Sequence, residues 1–326
     1  MSIDVSFAHA YFSLATNGIH RKEHDSMASL TLEHVAGTTV YIPSPTNIGL
    51  YVKNGAAILI DSGNDKEAGR QIANLLTERA LKLELIVNTH SNADHIGGNA
   101  FLQSKTNCRI AATELESVFI NNPLLEPAFL LGGYPFNELR NKFLMAKPSR
   151  VTDVIPSSGK IPGTDLEAFP LPGHFFDMIG VRTPDNVLFI SDSLFPEQII
   201  SKYHAFFLLD IHAHLETLER LKELKESTFI PGHGKPSRDI SRLIQINRQK
   251  IDELMGTILT IIQKASASEE ILAAFCERYG ITLDANQYVL ISSTLKSYLT
   301  YLKNEGRIET VFENGKLLWK CRDLKP

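Results

Sequence analysis

Apolar positions along this chain fall into two rhythms. From Leu30 onward, Thr39 to Pro43, Thr46 to Val52 and Ala56 to Ile60 read as strands, divided by turns at Pro43-Ser44-Pro45 and Asn54-Gly55. Lys66 to Leu81 changes to helical spacing, with Ile72, Leu75, Leu76 and Leu81 near one face. Leu85-Ile86-Val87 and Arg109 to Ala112 are further short strands, and Thr113 is placed to cap the helix that follows. Leu166 to Leu171, Met178 to Arg182, Val187 to Ile190 and Thr228 to Ile230 continue the strand series. A turn at Pro184-Asp185-Asn186 and a helix from Asp210 to Lys225 lie among them.

Two stretches break the alternation. Residues 121–149 are apolar but loop-like, and loops of that length in compact domains are usually functional or interfacial. Leu124, Leu125, Phe129, Leu130, Leu131, Tyr134 and Phe136 are available there for packing, a homodimer contact or a pocket wall. Past Pro236 the chain turns helical. Ile240 to Lys264 is a long amphipathic helix, Ser266-Ala267-Ser268 opens a second ending near Gly280, and Asp284 to Lys303 is a third. Arg307 to Phe312 and Lys316 to Cys321 then form a hairpin around Glu313-Asn314-Gly315. Three helices and a hairpin are similar to a winged helix. The expected units are an arm or extension over 1–28, a catalytic domain over 29–238, and a helical linker with a winged-helix-like domain over 239–326.

Composition narrows the class. The 326 residues are 43% hydrophobic and 21% charged, an ordinary globular balance, and the net charge of -4 offers no bulk attraction to nucleic acid or anionic membrane. Within 266–326 eight basic residues face eight acidic ones, which argues against a phosphate-gripping winged helix. The three cysteines, Cys108, Cys276 and Cys321, form no C-x-x-C pair, so a reducing cytoplasm is the simple expectation. No stretch is long and apolar enough to span a membrane. The N-terminus lacks the basic start of a secretory signal.

The chemistry sits where strands stop. Asp61, His90, His174, Asp192 and His233 each follow a short apolar run, and core packing does not ask for five such endings. After Leu85-Ile86-Val87 the chain releases His90, Asn92, Asp94 and His95 within six residues, then turns at Gly97-Gly98. Imidazole and carboxylate are the usual ligands of zinc and similar ions. Asp61, an acid at the end of the neighbouring strand, is placed to orient ligand loops by accepting hydrogen bonds. His212 and His214 read as solvated positions in the first turn of the helix from Asp210. His204 and Lys235, with Tyr134, are the candidates for substrate contact.

The ordered segments LIDSG, THSNADHIGGN, LPGH, SDSLF and PGHG resemble the metallo-β-lactamase superfamily, over roughly Leu30 to Arg238. The resemblance implies an α/β fold, an αββα sandwich with a one- or two-metal hydrolytic site at its edge. Carried over by position, one metal would use His90, residue 92 and His174, and the other Asp94, His95 and His233, with Asp192 bridging them. Zinc is the expected ion, and iron or manganese accepts the same ligand types.

One position departs from the family's H-x-H-x-D-H: this chain reads His90-Ser91-Asn92-Ala93-Asp94-His95. A neutral amide is a weaker donor than imidazole, so the second group should hold metal more tightly than the first. A metal-bound hydroxide, oriented by Asp94 and Asp192, would attack a small carbonyl substrate such as a thioester, ester or lactone. With the first position empty, His90 or His174 could serve as general base. The alternatives are a phosphodiesterase or ribonuclease of the same superfamily, and a non-catalytic member with an impaired first site.

Overall fold

The computed structural model describes residues 30–322; the expected arm at 1–28 lies outside them. A meander opens the first sheet with β1 (Glu33–Ala36), β2 (Thr39–Ile42), β3 (Ile48–Lys53) and β4 (Ala56–Ile60), all antiparallel neighbours. The chain then winds in parallel through α1 (Lys66–Glu78), β5 (Lys82–Val87), α2 (Ala93–Ile96), α3 (Asn99–Thr106) and β6 (Arg109–Ala112). Helices α4 (Glu114–Asn121) and α5 (Leu125–Leu131) lead to the short edge strand β7 (Asp153–Val154), which completes a seven-stranded sheet in sequence order.

The second sheet contains β8 (Gly159–Lys160), β9 (Glu167–Pro170), β10 (Ile179–Arg182) and β11 (Val187–Ser191), antiparallel in turn. Helices α6 (Glu197–Tyr203) and α7 (Ile211–Lys222) form the crossover to β12 (Thr228–Pro231), which lies parallel to β11. The tail adds α8 (Ser241–Ile261), β13 (Ser266–Ala267), α9 (Ser268–Tyr279), α10 (Ala285–Asn304) and the hairpin β14 (Ile308–Glu313) and β15 (Lys316–Cys321). Its sheet order is β13-β15-β14.

Period-two alternation decides the layers. In β4 and β5, Ile60, Leu85 and Val87 point between the sheets, where they meet Val181, Phe189 and Ile230. Their neighbours Leu59 and Ile86 point outward onto Ile72, Leu75 and Leu76 of α1 and Leu102 of α3, and a register shift between β4 and β5 turns Leu83 to that face as well. On the far side, Leu188, Ile190 and Phe229 of the second sheet share one core with α7, α8, α9 and α10, through Leu218, Ile251, Phe275 and Tyr298. The αββα sandwich expected from the sequence is present, and the C-terminal helices complete its outer layer.

Most element boundaries lie within a few residues of the expected ones. The helix expected to reach Leu81 stops at Glu78, because the chain turns through Ala80 at φ +52° before entering β5. Strand β1 and the short strands β7, β8 and β13 were not anticipated; runs of two to four residues carry too little periodicity to register. The loop-like stretch at 121–149 contains α5 and a single 3-10 turn at Asn137–Leu139. Thr113 stands at the N-cap of α4, but its hydroxyl donates to the carbonyl of Asp177 and accepts no bond from the helix's first turn.

Candidate metal centre

All the strand endings open on the same edge of the sandwich. Asp61 follows β4 and Ser191 ends β11, both non-glycine residues at positive φ (+61° and +49°). Such backbone is disfavoured for residues with a Cβ and is found where the surroundings over-determine it. Behind β12, Gly232 permits a close approach that no other residue would: a Cβ there would lie 2.1 Å from Oδ1 of Asp192. Gly98 plays the same part for the His95 turn, where a Cβ would meet the Ser62 carbonyl oxygen at 2.4 Å.

The imidazoles are fixed from behind. Nδ1 of His95 lies 2.8 Å from Oδ2 of Asp61, whose carboxylate also accepts from the backbone N–H and the hydroxyl of Thr89. Nδ1 of His174 donates to the carbonyl of Phe207 at 2.8 Å, and Nδ1 of His233 to that of Pro45 at 2.7 Å. Nδ1 of His90 sits 3.1 Å from the Thr89 hydroxyl and 3.2 Å from that of Ser191. With Nδ1 engaged on every ring, Nε2 is the atom each presents forward, the arrangement that orients metal-ligating histidines.

Two groups of donors result. His90, His174 and Asp192 form one, and Asp94, His95 and His233 the other, with the ligand atoms of each within 4.8 Å of one another. Asp192 touches both groups: Oδ1 lies 3.3 Å from Nε2 of His95, while Oδ2 lies 3.3 Å from Nε2 of His233 and 3.7 Å from Nε2 of His174. Oδ2 of Asp94 is 3.4 Å from Nε2 of His233 and accepts from the Thr46 hydroxyl. Nε2 of His90 is buried and makes no hydrogen bond among the described residues. A buried lone pair left in that state is costly unless something electropositive meets it. The donor chemistry fits a divalent cation, which either group could hold.

Charge divides the four rings. Burial, reinforced by the neighbouring His95 and His174, holds His90 well below the ordinary imidazole value, and burial likewise lowers His174. Burial acts on His95 too, but Asp94, Asp192 and Asp61 outweigh it and push the ring well above its usual value. His233 is raised against burial to about 10, through Asp192 and Asp94. In return, His95 and His233 keep both carboxyls below the ordinary carboxylate range despite burial. The carboxylates draw positive charge to this point.

Around these residues stand side chains that sequence reasoning did not single out. Asn47 ties the His233 loop by donating to the carbonyls of Pro231 and Gly234. Glu116, fully buried, accepts from the backbone and hydroxyl of Ser91 and from the N–H of Asp177, joining the His90 and His174 loops. Burial raises its carboxyl to about 7. Glu126 accepts from Nδ2 of Asn92 at 2.8 Å. Glu116 left no signal in the sequence, whereas Glu126 is the sole charge in the apolar run 123–136, which could have marked it.

A cavity opens over Asn92, Asp94 and His174. Asn64, Lys142 and Asn286 give it a polar wall, and Phe143, Leu144, Phe207 and Leu290 an apolar one, so α10 of the tail reaches the site. The three residues expected to touch substrate do not line it. Tyr134 is 73% exposed and lies beneath the Arg140 guanidinium. His204, turned by φ +56° at the end of α6, packs against the Tyr279 ring. Lys235 is exposed beyond the His233 turn. His212 is exposed and pairs with Glu216, as expected, but His214 is fully buried behind Gly173, where a solvated position was expected. Two residues apart on a helix point to opposite faces, so one reading could not suit both.

Comparison with known proteins agrees with this geometry. Residues 41–233 match the family model of the metallo-beta-lactamase superfamily. The chain is 23% identical to the "Probable metallo-hydrolase YqjP" of Bacillus subtilis over 86% of its own length and 96% of that protein. It is 32% identical to a hydroxyacylglutathione hydrolase of Rhodopseudomonas palustris over 44% of each chain. Two solved structures share the fold: a beta-lactamase domain protein from Burkholderia ambifaria and a metallo-beta-lactamase family protein from Thermus thermophilus. The first gives a TM-score of 0.68 at 18% identity, covering 89% of this chain and 93% of that one. The second gives 0.67 at 19%, covering 90% and 99%. With its five strand-end motifs gathered on one sandwich edge, the chain belongs to the metallo-beta-lactamase superfamily.

Proposed function

We propose that this metal-dependent hydrolase acts on a small carbonyl substrate, a thioester, ester or lactone, with zinc as its resident ion. The observation that carries the reading is the cavity beside Asp94 and His174, whose Phe143, Leu144, Phe207 and Leu290 wall suits an acyl group. The likeness to a hydroxyacylglutathione hydrolase supports an acyl substrate. His90, Asn92 and His174 would hold one ion, Asp94, His95 and His233 another, and Asp192 would serve both. A bound divalent cation supplies an acidified water and a Lewis acid for the carbonyl oxygen.

The protein's own part is orientation. Asp94, steadied by the Thr46 hydroxyl, faces the cavity and can accept a hydrogen bond from an attacking water. Lys142 and Asn286, on the polar wall, suit the polar end of a substrate whose acyl chain lies on the opposite side. Residues 266–326 of the tail carry as many acids as bases, which favours a pocket-walling role for them over a nucleic-acid grip.

A panel of thioesters, esters, lactones and phosphodiesters, assayed with zinc-loaded full-length protein, tests the reading. Turnover of one of the carbonyl classes, lost on chelation, is expected. Turnover confined to phosphodiesters, with salt-sensitive RNA or DNA binding, would replace it with the nuclease alternative. No turnover by metal-loaded protein would favour the non-catalytic one.

A further inference from the structure

Position 92 carries an amide where the family pattern has imidazole, and an amide has two unlike ends. Its oxygen can approach a cation and its nitrogen cannot. Something must decide which end faces the metal position.

The surroundings of Asn92 make that decision. Nδ1 of His174 lies against the carbonyl of Phe207 and therefore carries the hydrogen, which leaves Nε2 with a lone pair. That lone pair faces Oδ1 of Asn92 at 3.0 Å. Two acceptors this close repel each other unless a cation lies against both. On its other side Asn92 donates from Nδ2 to Oε1 of Glu126 at 2.8 Å. Oε1 of Glu126 is the acceptor of that bond, so the acid holds the nitrogen on its own side and turns the oxygen to His174. Glu126 is buried on α5, in an otherwise apolar segment, and lines the same cavity as Asn92. A buried acid there needs a purpose.

We infer that Glu126 is the positioning residue that completes the first metal position, holding the Asn92 amide so that its oxygen joins His90, His174 and Asp192 as a ligand. The inference rests on the reading that this group binds metal. Amide and carboxylate together do what the family's imidazole does alone: the amide supplies the donor atom and the carboxylate fixes its direction, as outer partners fix metal-bound histidines.

Cobalt(II) titration of chelator-stripped full-length protein, followed by visible absorption, tests it. The wild type should take up a tight equivalent and a weaker one. Glu126→Leu should weaken the weaker equivalent by roughly 10–100-fold and leave the tight one unchanged. Glu126→Gln, whose Oε1 can still accept from Asn92, should recover most of the loss. In an Asn92→His background, Glu126→Leu should have no effect on either equivalent. Equal affinities in wild type and Glu126→Leu would overturn the inference while leaving the metal reading intact. So would parallel weakening of both equivalents, or the same loss in the Asn92→His background. Wild-type protein that binds a single equivalent would also overturn it, and protein that binds no cobalt would overturn the metal reading as well.

Discussion

Oδ2 of Asp61 lies 2.8 Å from Nδ1 of His95, with both side chains buried and the acid held at positive φ. The carboxylate sets the ring's tautomer and aims Nε2 at Asp192. Asp61→Ala should lower metal affinity of the Asp94, His95 and His233 group by roughly 10–100-fold, with Asp61→Asn intermediate. Asparagine can accept from His95 but cannot serve both groups of Thr89 at once. Calorimetric zinc titration measures this; affinity unchanged in the alanine variant would show that the ring is aimed by packing alone.

Gly232→Ala should cost both metal and stability. The new methyl would collide with Oδ1 of Asp192 at 2.1 Å, so either the ligand moves or the turn after β12 does. Overpacking of this kind costs about 1–3 kcal/mol. Denaturant unfolding of apo-protein gives that figure, and zinc content after dialysis reports the displaced ligand. Retention of wild-type zinc would mean that the turn yields and Asp192 stays.

Metal removal should lower thermal stability. Ligand held at 100 times its dissociation constant stabilises the folded state by about 2.7 kcal/mol, and chelation forfeits this. Nε2 of His90, buried and without a hydrogen-bond partner among the described residues, is one group that a bound ion would meet. Melting curves with and without chelator, repeated with added zinc, check the effect; curves that coincide would argue that the folded protein binds no ion.

His214 should make the apo-protein sensitive to acid. Burial, with a smaller contribution from His174, lowers its ring from 6.5 to about 3, and neither ring nitrogen has a hydrogen-bond partner among the described residues. The unfolded chain takes up this proton below pH 6.5 and the folded chain only near pH 3. The stability His214 contributes is therefore complete above pH 6.5 and is lost progressively as pH falls toward 3. His214→Phe should flatten the decline across that window, by up to about 1.4 kcal/mol per pH unit. Urea unfolding at several pH values would show it, and parallel profiles for the two proteins would place the acid sensitivity elsewhere.

Deleting 266–326 should not leave a well-behaved sandwich. Phe275, Leu295, Tyr298 and Trp319 share one core with Leu188, Ile190 and Phe229 of the second sheet. Truncation would uncover that face over many residues, and insoluble or aggregating protein is the expected result. A monodisperse truncated protein that retains metal would show that α8 alone closes the layer.

The sequence by itself determined the parts whose information is local. Period-two runs located the strands that carry the site, and each ligand-type residue was visible because it follows its own strand: Asp61, His90, His174, Asp192 and His233 are chemically conspicuous where they stand. The His90 to Gly98 segment was legible because one loop holds several donors in a few residues. What the sequence left open depends on contacts between distant segments. Asn92 and Glu126 are 34 positions apart, and Phe207 approaches His174 across 33. Their meeting is set by how α5 and the loop after α6 pack onto the sandwich edge. Tyr134, His204 and Lys235 looked available for substrate, yet each lies outside the cavity wall, which draws Leu290 and Asn286 from the tail instead. His212 and His214 are nearly adjacent in the chain, and helix rotation against the second sheet left one in water and buried the other. A strand end is written in consecutive residues; a pocket wall is written in the packing of layers, which local periodicity does not encode.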